Sequence, residues 1–256
     1  MNYGLYLSAM GARAQMNRQA VISNNLANSA TTGFKRDLMV MQSRLNAAYE
    51  DPKMFPYRLP VVKDQGGGVL PMGDGIDLSQ SELENSSNAT DVALNGKGFF
   101  TVAGDNGEKL LTRNGRFLID QTGKLVTAGG NRAVLDSTGQ PITLNPSLPL
   151  VIGNDGMISQ GAGGGQETGV KLGLADVADS RQLTKLGGNV MRAPGDLAQV
   201  PAETQVMQYK LEASGVEPMV EIVNMMEGQR AFEANTRMMS YQDTTLSQLN
   251  TVGRVA

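Results

Sequence analysis

The sequence of 256 residues contains no cysteine, no histidine and no tryptophan. Without cysteine the chain forms no disulfide and offers no thiolate for catalysis or metal binding. Without histidine it lacks the commonest general base, the commonest metal ligand and every catalytic triad that contains histidine. The sequence therefore predicts no catalytic residue, no cofactor and no metal site.

Charge and hydrophobic runs are also limited. The net charge is −3 with a pI near 5.1, which gives no reason to expect nucleic acid or an anionic membrane as a partner. No apolar run approaches the 18 or so residues of a membrane span, and the first 15 residues lack the pattern of a cleaved secretory signal. We expect no membrane span, no small-molecule substrate and, for any exported chain, a route without signal cleavage.

Glycine is abundant, with 31 residues, and turn signals recur at short intervals from Ile76 to about Pro201. The spacing of these turns is typical of an antiparallel β domain of short strands. Asn95-Gly96 is a hairpin signal between two apolar runs. The glycine clusters lack the Lys-Ser/Thr of a phosphate-binding loop, and the Asp-x-x-Gly turns lack the alternating carboxylates of a calcium loop.

The last stretch, Glu217 to Asn250, has a seven-residue apolar repeat. Its repeating residues are Met225, Phe232, Met239 and Leu246. Such a repeat predicts a long helix with one narrow apolar stripe that needs a partner helix.

Residues 3 to 28 predict a second helix with a weaker stripe, which includes Leu5, Ala9, Ala12, Met16 and Leu26. Asparagine tolerates the conformation found at helix ends, so the run from Asn24 to Asn28, which includes Asn25, predicts the end of this helix. Gly33 is the expected positive-φ residue of the turn that follows. The spacing of apolar residues from Phe34 to Ala48 predicts an amphipathic segment.

The two chain ends carry opposite charge, +4 over residues 1–48 and −2 over residues 206–256. This difference favours pairing of the two terminal helices with each other, within one subunit or between subunits. The predicted fold class is α+β, with a coiled-coil-like helical domain and an inserted antiparallel β domain. The predicted segments are a helical segment (1–48), an extended Pro/Gly-rich linker (49–75), a β domain (76–205) and a C-terminal strand and helix (206–256).

Four segments resemble the bacterial flagellar rod and hook protein family. They are Asn24 to Asn28 with Thr32-Gly33-Phe34-Lys35, Asp91 to Phe100, Leu111 to Gly115 with Leu125 to Gly130, and Gln229 to Asn235. They occur in the family's order and cover both termini and the middle of the chain. The opening segment from Leu5 to Ala12 is more similar to the proximal-rod type than to the distal-rod type.

One departure falls at Ser214-Gly215-Val216-Glu217, where the family usually has Ser-Asn-Val-Asn. It affects the expected junction between the last strand and the last helix. Pro218, which follows, is compatible with a first helical turn.

The resemblance implies a structural subunit of the flagellar basal-body rod. It implies export through the flagellar type III apparatus without signal cleavage, a location in the rod that crosses the periplasm, and contacts with copies of itself and with other rod proteins. Terminal helices would line the inner tube of a torque-transmitting shaft. The residues expected at assembly interfaces are Leu5, Ala9, Ala12, Met16, Asn24, Asn25, Leu26, Asn28, Gly33, Phe34, Met225, Arg230, Phe232, Met239 and Leu246.

Two alternatives from other classes remain at this point. A wall hydrolase built on the β domain would need a recognisable catalytic spacing, and carboxylates such as Asp176 and Asp179 fit solvated loop charges better. A secreted adhesin or chaperone-like binder would not need two heptad-bearing ends.

Overall fold

A computed structural model describes residues 3–43, 66–105, 107–161, 167–177, 179–195, 197–198 and 200–252. Neither of the two long helices within these ranges is apolar enough over a sufficient length to cross a membrane. The part of the predicted linker from 49 to 65 lies outside the described residues.

Within the described residues, one long helix precedes sixteen strands in the sequence and a second long helix follows them. The helices are α1 (Tyr3–Ala27) and α2 (Pro218–Val252), and a 3₁₀ turn covers Ser180–Gln182. The strands are β1 (Asp37–Ser43), β2 (Val69–Ile76), β3 (Leu83–Asn85), β4 (Val92–Asn95), β5 (Phe99–Ala103), β6 (Lys109–Thr112), β7 (Phe117–Ile119), β8 (Leu125–Thr127), β9 (Leu150–Ile152), β10 (Met157–Gln160), β11 (Glu167–Lys171), β12 (Leu174–Ala175), β13 (Thr184–Gly187), β14 (Val190–Arg192), β15 (Gln205–Gln208) and β16 (Lys210–Glu212).

The chain divides into two compact units, and neither is continuous in sequence. The helical unit contains residues 1–27, 37–75 and 217–256, and the β unit contains residues 28–36 and 76–216. Helices at both ends with antiparallel sheets between them confirm the predicted α+β class.

Helices α1 and α2 pack against each other in antiparallel orientation within the helical unit. Gly4 lies beside Gln242 and Gly11 lies beside Asn235. Residue numbers thus increase along α1 while those of the contacted residues decrease along α2. A Cβ on Gly11 would lie 2.9 Å from the Asn235 side-chain oxygen. Small residues therefore set the close approach of the two helices.

The seam between the helices is polar. The buried residues of α1 include the polar Ser8 and Asn25 as well as Ala12 and Ile22. The side-chain oxygens of Gln15 and Gln242 are buried, and neither has a hydrogen-bond partner among the described residues. Buried amide oxygens without partners cost free energy, so this seam holds the pair less firmly than an apolar seam would.

The predicted stripe of α1 is displaced from the seam by one residue. Leu5 and Met16 are 37% and 58% exposed, and Ala9 is exposed as well, whereas Ala12 is buried. The prediction assumed that the larger apolar residues face the partner helix. In the structure Gly4, Ser8 and Gly11 take that place because they permit the closer approach.

The segment after Gly33 forms a strand where the apolar spacing predicted a helical continuation. Phe34 to Arg36 is irregular, and Asp37–Ser43 forms β1, which pairs with β2. Asn25 fixes the start of this strand, because its amide donates to the Asp37 carbonyl and accepts from the Asp37 N–H, each at 2.9 Å. The helical prediction for 34–43 is therefore wrong, and residues 44–48 lie outside the described part.

The β unit is built from antiparallel pairs. Its largest sheet has the strand order β12-β5-β6-β14-β13, and a three-stranded sheet has the order β11-β10-β9. Phe100 and Phe117 meet edge to face in the core, with ring centroids 5.2 Å apart. Residues such as Leu110, Ile142 and Ile158 bury the surrounding apolar surface.

Two local predictions differ from the structure. Asn95-Gly96 does not close a hairpin, because β4 pairs with β15 while β5 pairs with β6 and β12. The single strand predicted over Val206 to Glu212 is two strands that join different partners, and both belong to the β unit. They change direction at Tyr209, whose φ is +60°.

Candidate functional site

A loop from the N-terminal part of the chain lies inside the β unit. We call residues 28–36 the signature loop. Gly33 donates its N–H to the Glu212 carbonyl at 2.7 Å, and Gly215 donates to the Phe34 carbonyl at 2.8 Å. The Ser214 hydroxyl donates to the Asn28 carbonyl at 2.9 Å. The loop is thereby tied to the chain that follows β16, including the position where the sequence departs from the family pattern.

Gly33 has the conformation that the sequence predicted. Its φ is +65°, and a Cβ at this position would lie 2.5 Å from the backbone carbonyl of Arg113. A side chain is excluded there both by conformation and by contact with backbone, which cannot move aside as the tip of a side chain can. Glycine is thus required for the signature loop to lie against the segment after β6.

Three buried charged residues meet at the signature loop. They are Lys35 of the loop itself, Arg113 and Glu212, and we call them the ion cluster. The Lys35 Nζ lies 2.5 Å from Glu212 Oε1, and the Arg113 Nε lies 2.5 Å from Glu212 Oε2. Each of the three side chains is 3% exposed or less. One carboxylate therefore bridges two cations that come from different parts of the chain.

Arg113 also organises the turn between β4 and β5. Its guanidinium donates to the carbonyls of Leu94, Gly96 and Gly98. The planar fork of arginine can satisfy several acceptors and a carboxylate at once, which an ammonium group cannot do in the same geometry. This arrangement explains why Asn95-Gly96 leads into a loop rather than a hairpin.

Lys35 is held by neutral and charged partners. Its ammonium donates to the Ser79 carbonyl at 2.7 Å as well as to Glu212. Burial lowers the pKa of Lys35 below its ordinary value, and the nearby Glu212 carboxylate offsets this only in part. The Lys35 side chain is therefore buried in its own chain and is not exposed to solvent.

The hairpin of β13 and β14 covers the signature loop from another side. Lys185 places its Nζ 4.0 Å from the centre of the Phe34 ring and donates to the Lys35 carbonyl. Asn189 donates its side-chain amide to the Thr32 carbonyl at 2.7 Å. Phe34 is 5% exposed as a result.

The residues predicted for assembly fall into three groups. Six are exposed, five are partly buried and four are buried. The exposed residues are Leu5, Ala9, Met16, Asn24, Arg230 and Leu246, the partly buried ones are Leu26, Asn28, Met225, Phe232 and Met239, and the buried ones are Ala12, Asn25, Gly33 and Phe34. The buried residues serve contacts within their own unit, so their side chains are not presented on the surface of this chain.

Sequence reasoning missed the ion cluster. Lys35 and Arg113 stood in segments that carried the family resemblance, but nothing in either segment indicated a shared carboxylate. Glu212 lies in a short strand without a recognised motif. A charged residue inside an otherwise apolar or turn-forming signature was the available signal, since charged residues are rarely buried unless they are paired.

The cluster joins segments that lie far apart in the sequence. Its two cations are engaged by a carboxylate and by backbone carbonyls, and they line an open cavity of about 690 Å³ together with Lys97 and Asp176. Within the described ranges, no group of three or more acidic side chains is placed to hold a metal ion.

Three family models match the two ends and the middle of the chain. Residues 5–35 match the flagella basal body rod protein family, residues 93–160 match the D1 domain of flagellar hook protein FlgE/F/G, and residues 207–252 match the C-terminal part of flagellar basal body rod FlgEFG proteins. The three matches include Lys35, Arg113 and Glu212 in turn. The class defined by the fold and the cluster is thus that of rod and hook proteins.

Full-length relatives narrow the class. The chain is 35% identical to flagellar basal-body rod protein FlgF of Caulobacter vibrioides, over 93% of both chains. It is 32% identical to FlgG of Buchnera aphidicola from Schizaphis graminum, over 96% of this chain and 98% of the relative. It is 29% identical to FlgF of Escherichia coli K12, over 98% of both. The chain belongs to the flagellar basal-body rod protein family, which confirms the resemblance.

Proposed function

We propose that the chain is a structural, non-enzymatic subunit of the flagellar basal-body rod, of the proximal type. It assembles helically through the outer faces of its terminal helices with copies of itself and with other rod proteins. The rod acts as a torque-transmitting shaft, and the helices form part of the wall of its export channel. The chain reaches the rod through the type III export apparatus without signal cleavage.

The observation that carries this proposal is the inverted arrangement of the helical unit. Gly4, Gly11 and Gln15 of α1 lie against α2, while several large apolar residues of both helices are exposed. At the start of α2 the outward residues are Met219, Val220, Ile222, Val223 and Met226, which are 41–76% exposed. Together they form what we call the outer face of α2. Contiguous exposed apolar surface of this kind marks an interaction site.

A second copy of the chain is the occupant that the charges favour. The outer face of α2 has exposed acidic neighbours, Glu217 and Glu227, and α1 exposes Arg13 between Leu5 and Met16. Apolar surface flanked by opposite charges fits a head-to-tail contact between copies. Such contacts generate open helical filaments when the rotation does not close.

The test substitutes the outer face and leaves the seam intact. Ile222→Asp combined with Met226→Asp should abolish incorporation into rods and motility, while the purified monomer keeps its helical circular dichroism. The matched control is Leu118→Asp, which places a charge on an equally exposed apolar residue of the β unit. Normal rods from the doubly substituted chain would refute assembly through this face.

Proximal and distal types need a separate experiment, because relatives of both types align over nearly the whole chain. Introducing the gene into strains that lack either the proximal or the distal rod subunit should restore motility in the first strain alone. Rescue of the second strain instead would assign the chain to the distal type.

A further inference from the structure

The ion cluster carries an excess of buried positive charge. Asp91, Glu212 and Glu221 are the buried carboxylates among the described residues, and of these Glu212 is the one bonded to Lys35 and Arg113. Asp77, which is partly exposed, attracts Lys35 without an ion pair. Removal of Glu212 would leave two buried cations with no buried carboxylate beside them.

The three residues are far apart in the sequence. Glu212 follows Lys35 by 177 positions and Arg113 by 99. Burying a cation without a paired anion is strongly unfavourable. A chain whose last strand is not yet in place therefore meets an electrostatic barrier when the signature loop and the turn after β4 approach each other.

We propose that Glu212 is a folding latch, whose carboxylate permits the signature loop to close onto the β unit once the last strand has arrived. The backbone around the carboxylate supports this role. Glu212 accepts the Gly33 N–H through its carbonyl and the Ser81 N–H through its side chain. Gly215, three residues later, donates to Phe34. One residue thus joins segments from the beginning, the middle and the end of the β unit.

The latch has a consequence for a chain delivered from its N-terminus. The signature loop would stay open until residues 205–216 emerged, so its closure onto the β unit would come late in the passage. This consequence rests on the proposed export route. The latch itself does not, because it concerns the folding of the isolated chain.

The experiment compares four full-length proteins: the wild type, Glu212→Gln, Lys35→Met and the double variant. Glutamine keeps the shape of glutamate and removes its charge. Opening is measured by hydrogen exchange of the Gly33 and Gly215 amides and by trypsin cleavage after Arg36, a site present in all four proteins. Glu108→Gln serves as control, because Glu108 pairs with Arg192 at the surface.

We expect Glu212→Gln to raise the open population roughly 150- to 4,000-fold, the range found when one partner of a buried ion pair is removed. In the Lys35→Met background, Glu212→Gln should raise the open population by a factor at least ten times smaller. The reason is that only one buried cation is then left unpaired. Glu108→Gln should change opening less than about threefold.

If Glu212→Gln raises the open population by the same factor with Lys35 and with Met at position 35, the latch is overturned. Glu212 would then act through its shape and hydrogen bonds alone. If Glu212→Gln does not fold, a folded double variant supports the proposal and an unfolded one overturns it. None of these outcomes depends on rod assembly, so failure of the latch leaves the proposed function standing, and failure of assembly leaves the latch standing.

Discussion

Arg113 and Glu212 form an ion pair inside the β unit, although 99 positions separate them in the sequence. The pair brings the segment after β6 against the last strand, and the guanidinium reaches three backbone carbonyls on its other side. The same two residue types pair again at the surface, where Arg192 contacts Glu108 through two nitrogens. The two pairs differ in burial and in the number of further acceptors that the guanidinium serves.

This difference predicts the effect of replacing arginine with lysine. Arg113→Lys keeps the charge but loses the fork that serves several acceptors, so it should lower the free energy of unfolding by about 2–4 kcal/mol. Arg192→Lys should cost less than about 0.5 kcal/mol, because exposed pairs contribute little. Urea unfolding of both variants measures the difference, and similar losses would contradict the role assigned to burial.

The helix seam predicts different responses at two glycines. A Cβ on Gly4 would meet the flexible end of Gln242, whereas a Cβ on Gly11 would meet the short side chain of Asn235, which is hydrogen-bonded to Ala231. Gly4→Ala should stabilise the helices by up to about 1 kcal/mol through its higher helix propensity. In Gly11→Ala, the close contact between the new methyl group and Asn235 should cancel this gain in stability.

Helical circular dichroism on heating distinguishes the two alanine variants. The double variant Gly11→Ala with Asn235→Ala removes the obstructing side chain and should recover the gain. If Gly11→Ala alone raises the melting temperature as much as Gly4→Ala, the seam is looser than the structure shows.

Tyr209 occupies a backbone conformation that favours glycine or asparagine. Its φ is +60°, and its N–H and carbonyl bond to Asp91 and Ser86 on the neighbouring chain segments. Tyr209→Asn should keep or raise the free energy of unfolding, while Tyr209→Val should lower it by about 1–2 kcal/mol, because a branched Cβ is most strained there. Chemical denaturation compares the two variants, and equal stabilities would argue against backbone strain at this bend.

Two turns share the sequence Asp-x-Thr-Gly, and their hydrogen bonds predict a pH response. A hydrogen bond from the Thr122 hydroxyl, with others from the Lys124 and Thr122 amides, lowers the pKa of Asp120 below its ordinary 3.8. The unfolded chain lacks these bonds and binds the proton more tightly. The contribution to stability is therefore present above pH 3.8 and is lost as the pH falls through the lowered pKa of the folded state.

Removing the hydroxyl tests this account. Thr122→Val should move the pKa of Asp120 back toward 3.8, as followed by carboxyl chemical shifts in an NMR titration. Thr138→Val is the matched control, since Thr138 bonds Asp136 in the other turn and should leave Asp120 unchanged. A shift of both carboxyl groups in either variant would mean that the turns are coupled.

Much of the local structure followed from the sequence. The seven-residue repeat identified α2, and the asparagine run marked the end of α1 near Ala27. Gly33 was predicted with a positive φ because its neighbours form a turn, and the structure confirms it. These features depend on interactions within a few residues, which periodicity and turn chemistry report directly.

The errors occurred where partners are distant in sequence. The spacing from Phe34 onward suits a helix, but Asn25 and the pairing with β2 favour a strand over Asp37–Ser43. The predicted stripe on α1 missed the seam by one residue because close approach selected Gly4 and Gly11 over Leu5 and Met16. Local patterns cannot show which neighbour supplies a contact.

The sequence by itself determined the α+β class, the two terminal helices, the turn at Gly33 and the family. Only the tertiary structure decided that Lys35, Arg113 and Glu212 share one buried site, and that Leu5 and Met16 of α1 and the outer face of α2 are exposed. For the buried site, the physical reason is that a buried charge is strongly destabilising unless its counter-charge lies beside it. Here the counter-charge is Glu212, which lies in the last strand of the β unit along the sequence.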